Sequence, residues 1–498
     1  MRIKLTLLAM FCFIKSWLFT QPTFNKTIDF SNGIDVGIGI LSHDDGYILI
    51  GAGYGNEIGD FFDQKLKFAK TDLNGNMLWS NFIGESSVHL FCGNINGIIT
   101  QDGKVVFCGS RLDSISYSTI LVKFDPTTGD TIYYRRFDFD DILKGLQVLE
   151  LSDGSLIILA TDENDAFGSV LIKTSAFGDF IWQKRYGNSS ESQATEFSIN
   201  NDTIHLINRN QSCLPSGYKI RTIDSSGSLL QELFFDEDCP SNGFLSNQGG
   251  YYGLGAYFPV PPFQGFIYRT DSEGEIQWHY NTTFDFDTLE YKDVLPGVVK
   301  EMPNGDLVVA GYFASNYLGS YYGLVSKINL EGHPYWERIY TSTDDHFDDN
   351  MLFDFIIGPE SEIVLVGSAY NNVPSEQQNF WLLKLDSLGC LVPGCDTLGI
   401  NIVEIPTSES HILVYPNPVI DESIIQITGF TDVNSISISI TDMSGKMIYQ
   451  HSISEKNLVE DNNSIRFGFS RGRMQSGIYI LSVYNENQLL GMHKIMLL

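Results

Sequence analysis

The sequence predicts an all-β protein of two modules, a ring of repeated four-stranded sheets followed by a small sandwich. Three observations lead there. A turn ending in Gly recurs seven times within the first 389 residues. Asp-Gly and Asn-Gly pairs stand between short apolar runs, as hairpins require. The last 88 residues abandon that repeat and carry an apolar/polar alternation of their own.

The turn copies run Lys70 to Gly75, Lys123 to Gly129, Lys173 to Gly178, Thr222 to Gly227, Arg269 to Gly274, Lys327 to Gly332 and Lys384 to Gly389. Successive glycines are 54, 49, 49, 47, 58 and 57 residues apart. Four positions after the glycine stands Trp79, Tyr133, Trp182, Trp278 or Trp336, while the fourth copy has Gln231 there. A second turn and an apolar strand precede each copy, as in Asp45-Gly46 before Tyr47, Asp102-Gly103 before Val105, Asp153-Gly154 before Leu156 and Asn304-Gly305 before Leu307. One repeat is therefore four short strands in about 50 residues, the length and strand count of a propeller blade. The last copy, ending near Leu391, lacks the strand that follows each earlier aromatic, and Phe24 to Phe30 offers a spare one. Pairing it there closes a seven-bladed β-propeller over residues 21–395 with no open edge. An eight-bladed ring with one degenerate blade is the alternative. Residues 396–410 read as a linker, and 411–498 as a small C-terminal β-sandwich, with Ser435 to Ile440 as a strictly alternating strand.

The formal net charge is −30. From His411 onward there are 6 Lys and Arg against 8 Asp and Glu, and before it 25 against 53, so the acidity belongs to the repeats. Such a surface repels phosphate backbones, which excludes nucleic acid as a natural partner. It serves solubility outside the cytoplasm, and it is also the kind of surface that attracts Ca²⁺ or a cationic partner. Arg2 and Lys4 precede the apolar run Leu5 to Ile14, too short to span a bilayer, so residues 1–20 read as a cleaved signal peptide with the cut near Thr20-Gln21. No later stretch is long and apolar enough for a transmembrane segment. Among the six cysteines beyond Cys12, Cys390 and Cys395 flank a Pro-Gly turn and form the best disulfide pair. Cys92 with Cys108 and Cys213 with Cys239 are weaker pairings, and a zinc site would need more clustered ligands.

The C-terminal module resembles the type A sorting domains of the type IX secretion system. Tyr415, Pro416, Asn417 and Pro418 match the family's opening motif, Asp442 to Gly445 its next turn, Gly477 and Tyr479 its Gly-x-Tyr motif, and Lys494 the basic residue near its end. The repeats resemble those of propeller cargos of the same system. The resemblance implies export through the inner membrane, recognition of the C-terminal domain by the outer-membrane type IX machinery, and release or display at the cell surface.

No catalytic motif stands out: the sequence has no His-Glu-x-x-His, no Gly-x-Ser-x-Gly and no phosphate loop. Asp72, Asp125, Asp224, Asp271 and Asp386 occupy the repeated turn, where a carboxylate bonds backbone N–H groups, so they read as turn residues rather than metal ligands. The Trp residues in register read as packing between blades. The acidic runs Asp138 to Asp141 and Asp344 to Asp349, with His346, read as solvated loops. Two functions stay open, a secreted or surface binding and adhesion propeller, and a polysaccharide- or peptide-degrading enzyme with a loop-built site. Aromatic loop material from Tyr251 to Phe263 and from Tyr312 to Tyr322 singles out Phe263, Tyr317 and Tyr321 as ligand contacts for a glycan or protein.

Overall fold

The computed structural model describes residues 23–30, 33–54, 64–85, 87–113, 116–139, 143–162, 168–187, 191–210, 218–235, 242–247, 249–257, 264–281, 292–315, 320–342, 349–371, 377–391, 411–415, 419, 422–428, 436–442, 447–453, 459–461, 464–472, 474, 477–485 and 488–497. The chain divides into two compact units, Met1–Cys395 and Asp396–Leu498. The described residues form strands and turns, with no helix among them.

Among the described residues of the first unit the strands build seven four-stranded antiparallel sheets. The first sheet shows the plan: Asp35–His43, Gly46–Gly53, Lys65–Asp72 and Met77–Ile83 pair in that order. The two middle strands are buried almost throughout, while Met77–Ile83 is largely exposed. Middle strands covered on both faces read as continuous apolar runs, as in Leu156–Asp162 of the third sheet.

Each sheet shares a core with the next. Ile50 and Phe68 of the first sheet pack with Phe107 and Phe124 of the second, and Leu121 of the second with Ile158 and Ile172 of the third. Leu171 then packs with Phe197 and Leu206 of the fourth, Ile220 with Phe266 of the fifth, Ile267 with Val309 of the sixth, and Val325 with Trp381 of the seventh. The seventh sheet returns to the first through Val366, Phe380 and Leu382 against Ile40 and Leu49. The sheets thus close into a ring, a β-propeller.

The seam of that ring is made by the N-terminal strand. Asp349–Ile357, Ile363–Asn371 and Gln377–Leu385 supply three strands of the seventh sheet, and Phe24–Ile28 is the fourth, antiparallel to Gln377–Leu385. Phe24 stands opposite Lys384. That is the position held by Trp79 opposite Lys70, Tyr133 opposite Lys123, Trp182 opposite Lys173, Trp278 opposite Arg269 and Trp336 opposite Lys327. Lys26 Nζ donates to Asn74 O and Asn76 Oδ1 at 2.7 Å each, and Lys384 Nζ to Tyr47 Oη at 2.9 Å, so the first and last strands of the propeller are both tied to the first sheet.

The recurring turn locks neighbouring sheets together. Its glycine is left-handed in every copy, with φ from 73° at Gly75 to 94° at Gly274, and the register shifts one residue earlier in the hairpin, as a bulged turn demands. The aromatic of one sheet lies under the glycine of the next. A Cβ on Gly129 would stand 2.8 Å from Trp79, one on Gly332 2.6 Å from Trp278, one on Gly389 2.8 Å from Trp336, and one on Gly75 3.0 Å from Phe24. Inside the turn the repeated carboxylate accepts backbone N–H groups, as the sequence predicts. Asp72 Oδ1 accepts from Asn74 and Asn76 at 2.9 and 2.8 Å, and Asp224 Oδ1 from Ser226 and Ser228 at 2.9 and 2.8 Å. Asn329 makes the same two bonds in the sixth copy, so the turn requires an acceptor oxygen rather than a charge.

The basic residue that opens the turn has a partner the sequence did not reveal. It reaches the acidic residue of the inner hairpin of its own sheet: Lys70 to Asp45 at 2.9 Å, Lys123 to Asp102 at 2.7 Å, Lys173 to Asp153 at 3.8 Å and Lys384 to Glu362 at 4.0 Å. The fourth copy has Thr222 opposite Gln231 and lacks both the cation and the aromatic.

Cys92 and Cys108 are free thiols, against the weaker pairing considered from sequence. Cys92 pairs with Gly109, the neighbour of Cys108, so the two side chains leave the second sheet on opposite faces. Burial pushes both thiols far above the ordinary range.

The second unit is a sandwich of two four-stranded sheets. One contains His411–Tyr415, Glu422–Thr428, Ser464–Ser470 and Val459–Asp461, and the other Met447–Ile453, Ile436–Asp442, Gly477–Asn485 and Gln488–Leu497. Ile436, Ile438 and Ile440 alternate into a core shared with Val414, Ile425 and Phe469.

Two outcomes follow for stability. Phe24→Ala, which removes a half-buried ring from the seam, lowers stability by about 2 kcal/mol, and removal of Phe24 to Phe30 lowers the melting temperature of the whole propeller. Thermal unfolding of both variants checks this, and an unchanged melting temperature would show that the ring does not depend on its seam. Gly129→Ala costs more than Gly103→Ala. Both glycines are left-handed, but a Cβ on Gly103 meets nothing within 4 Å while one on Gly129 meets Trp79. Equal losses in denaturant melts would remove the ring contact as the cause.

Candidate functional site

Strand direction divides the propeller into two ends. The hairpins between first and second strands and between third and fourth strands, with their glycines, lie at one end of each sheet. The connections between second and third strands leave from the other end. They run from Gly53 to Lys65, Leu112 to Tyr117, Asp162 to Gly168, Asn210 to Tyr218, Tyr257 to Gln264, Ser315 to Ser320 and Asn371 to Gln377. Links from one sheet to the next start at this same end. The recurring glycine turn lies at the first end, and the connections at the second vary in length and composition.

The aromatic segments singled out from sequence are mostly strand. Tyr251–Tyr257 is the second strand of the fifth sheet, where Tyr251 and Tyr252 are 7% and 1% exposed. Leu307–Ser315 and Ser320–Ile328 contain Tyr312 and Tyr322. Glycines interleaved at 253 and 255 dilute the alternation that marks a strand, and aromatic side chains pack well on a pleated surface. Tyr321 is half-buried, edge-to-face on Tyr312 at 5.5 Å, and its N–H donates to Asp349 Oδ1 at 3.1 Å. Phe263 and Tyr317 lie outside the described residues.

Polar residues that could suggest chemistry are engaged in the framework. Asp138 accepts from Ser118 Oγ and Arg136 Nε at 2.6 Å each. Asp354 accepts from Lys300 Nζ at 2.8 Å and from the N–H of Ile40, across the seam, at 3.1 Å. Buried Asp35 pairs with Lys67; burial raises its pKa and the lysine opposes that shift. Backbone donors and Lys104 hold Asp125 below the ordinary carboxylate range, Lys104 acting most strongly. Among the described residues no three His, Cys, Asp or Glu side chains converge to hold a metal. His346 and the acidic residues 344–348 lie outside the described residues, as does Cys395. Cys390 is 1% exposed. No helix among the described residues is long and apolar enough to cross a membrane.

In the second unit the residues matched from sequence to the sorting motifs fall on strands of both sheets. Tyr415 ends the strand His411–Tyr415, and Val419, beyond residues 416–418, bridges Leu497. Gly477 also pairs with Leu497, Tyr479 with Asp442, and Lys494 with Ile480. Tyr479 is 8% exposed and belongs to the core. Residues 416–418 and Gly445 lie outside the described residues.

No curated protein matches the chain. Among solved structures, the extracellular domain of a hybrid two-component system from B. thetaiotaomicron is 11% identical with a TM-score of 0.41, covering 96% of this chain and 60% of that one. The chain thus spans less than two thirds of that protein's length. The polysaccharide lyase Uly1 is 9% identical, with a TM-score of 0.42 over 70% of this chain and 90% of that one. The β-propeller domain of the Trilobed protease from Pyrococcus furiosus is 12% identical, with a TM-score of 0.40 over 73% of this chain and 94% of that one. None of these distant likenesses carries its activity to this chain. A family model, the secretion system C-terminal sorting domain, matches residues 413–497. The C-terminal sandwich is therefore a sorting domain of the type IX secretion system, and the β-propeller chain that carries it is exported to the cell surface or secreted.

Proposed function

We propose that the propeller is a binding and adhesion module that works outside the cell, and that the C-terminal domain serves it as the secretion signal. One observation carries the reading. The residues repeated from copy to copy are taken up by turn bonds, ion pairs and packing between sheets, while the connections between second and third strands differ in length and composition from sheet to sheet. A rigid ring with variable connections on one side suits recognition of a glycan or a protein. Residues 1–20 act as the inner-membrane signal, and Tyr415, Pro416, Asn417, Pro418, Asp442, Gly445, Gly477, Tyr479 and Lys494 are what the outer-membrane machinery reads. Cys390 and Cys395 form the disulfide that ends the last repeat. Phe263, Tyr317 and Tyr321 supply aromatic contact to the ligand.

Deleting His411 to Leu498 leaves a folded propeller in the periplasm of its host, as fractionation and surface proteolysis would record. Delivery of the truncated chain to the surface would defeat the assignment of the signal. Replacing Phe263, Tyr317 and Tyr321 with Ala lowers binding to intact cells or a glycan array about tenfold, with the melting temperature held within a few degrees. A fall in stability with no selective loss of binding would make these residues part of the packing instead.

A further inference from the structure

Each sheet of the propeller carries a row of side chains, one from each of its four strands, that faces the sheet that follows. In the first sheet the row is Leu41, Ile48, Lys70 and Trp79, paired in that order. In the third it is Leu149, Ile157, Lys173 and Trp182. In the fourth sheet the same register holds Ser198, His205, Thr222 and Gln231, four polar residues.

Burial follows the change. The second residue of the row is no more than 1% exposed in every other sheet, at Ile48, Val106, Ile157, Tyr252, Val308 and Val364. His205 is half-buried, as are Ser198 and Thr222, and Gln231 is exposed. The gap between the fourth and fifth sheets is therefore open along this row. Two residues along the same strands, on the same face, Ile207 and Ile220 pack with Tyr251, Phe266 and Tyr268 of the fifth sheet. An apolar wall thus closes the gap on the side of the rim.

His205 stands in the middle of the row. Burial pushes its imidazole below the ordinary histidine range, so the ring is neutral, with one nitrogen to donate and one to accept. Its Nδ1 is buried with no hydrogen-bond partner among the described residues. Burial is the one influence on its titration, so among the described residues the Ser198 and His205 pair lacks the orienting acid of a hydrolytic triad. The Ser198 and Thr222 hydroxyls each donate and accept, and so does the Gln231 amide. Polar groups left without partners at a packing position cost stability, and a bound ligand with hydroxyl groups would supply those partners.

We propose that the gap between the fourth and fifth sheets binds an uncharged sugar. Its hydroxyl groups, each donor and acceptor at once, complete the hydrogen bonds of Ser198, His205, Thr222 and Gln231, while its C–H face rests on the apolar wall. The row carries no charge, so binding holds as salt is raised. The site lies towards the glycine end, away from the proposed rim contacts, and does not rest on them.

Calorimetric titration of the full chain with maltohexaose, cellohexaose, mannohexaose, glucose and a glucuronate oligosaccharide tests it. At least one neutral hexaose binds, equally at low and high salt, and the charged oligomer does not. His205→Ala and Gln231→Ala each weaken that binding about tenfold, and Ser80→Ala, on the outer strand of the first sheet, leaves it unchanged. The triple variant His205→Ile, Thr222→Lys, Gln231→Trp rebuilds the row of the other sheets, so it raises the melting temperature and abolishes binding. If the triple variant does not fold, the two alanine variants decide. Tighter binding of a hexaose than of glucose identifies a glycan chain as the source, and equal binding a free sugar. Binding of none of the neutral sugars, or preference for the charged oligomer, would overturn the site. Binding that survives His205→Ala and Gln231→Ala belongs to the rim and overturns this site alone.

Discussion

An aromatic ring laid against a left-handed glycine holds one sheet of the propeller to the next at every junction but that of the fourth and fifth, and most of the repeat serves to make that contact. The glycine meets two demands at once. Its backbone angle is one that L side chains rarely adopt, and the space where a Cβ would stand is filled by the neighbour's ring. The ring is fixed in turn by its own sheet, where it faces a basic residue tied to the inner hairpin. A turn thus positions a cation, the cation an aromatic, and the aromatic the turn of the next sheet. Where Thr222 and Gln231 break the sequence, the fourth and fifth sheets rely on Ile207, Ile220, Tyr251, Phe266 and Tyr268.

This division of labour explains why so acidic a chain shows so little chemistry in its framework. Asp72, Asp125 and Asp224 close turns, and Asp45, Asp102 and Asp153 anchor the cations. Each does so as an ionised acceptor, the opposite of what proton transfer at neutral pH requires. The surface that the repeat does not specify is the rim opposite the glycines.

The spacing of Gly75 to Gly389 was enough to read the repeat, because turn geometry is local and glycine is the only residue that fits it. The spare N-terminal strand was legible by counting strands. Its register was not, and with it the fact that Phe24 stands in for a tryptophan, since nothing near Phe24 in sequence names Lys384 as its partner. Tyr251 and Tyr312 were misread as loop because side-chain burial depends on the sheet that covers them. Ser198, His205, Thr222 and Gln231 are dispersed along the chain and line up only when their strands pair, in a register that no pattern along the chain announces.

The seam sets an order of events for the folding of an exported chain. Phe24–Ile28 lies early in the sequence, yet the strand it pairs with among the described residues, Gln377–Leu385, comes about 350 residues later. Until then the first sheet lacks the Phe24 ring beneath Gly75 and the core of Val366, Phe380 and Leu382 against Ile40 and Leu49. Closure is therefore a late, all-or-none step with high contact order, slow by nature. A propeller fastened this way completes its ring only once Gln377–Leu385 is present, whatever the earlier sheets have already formed.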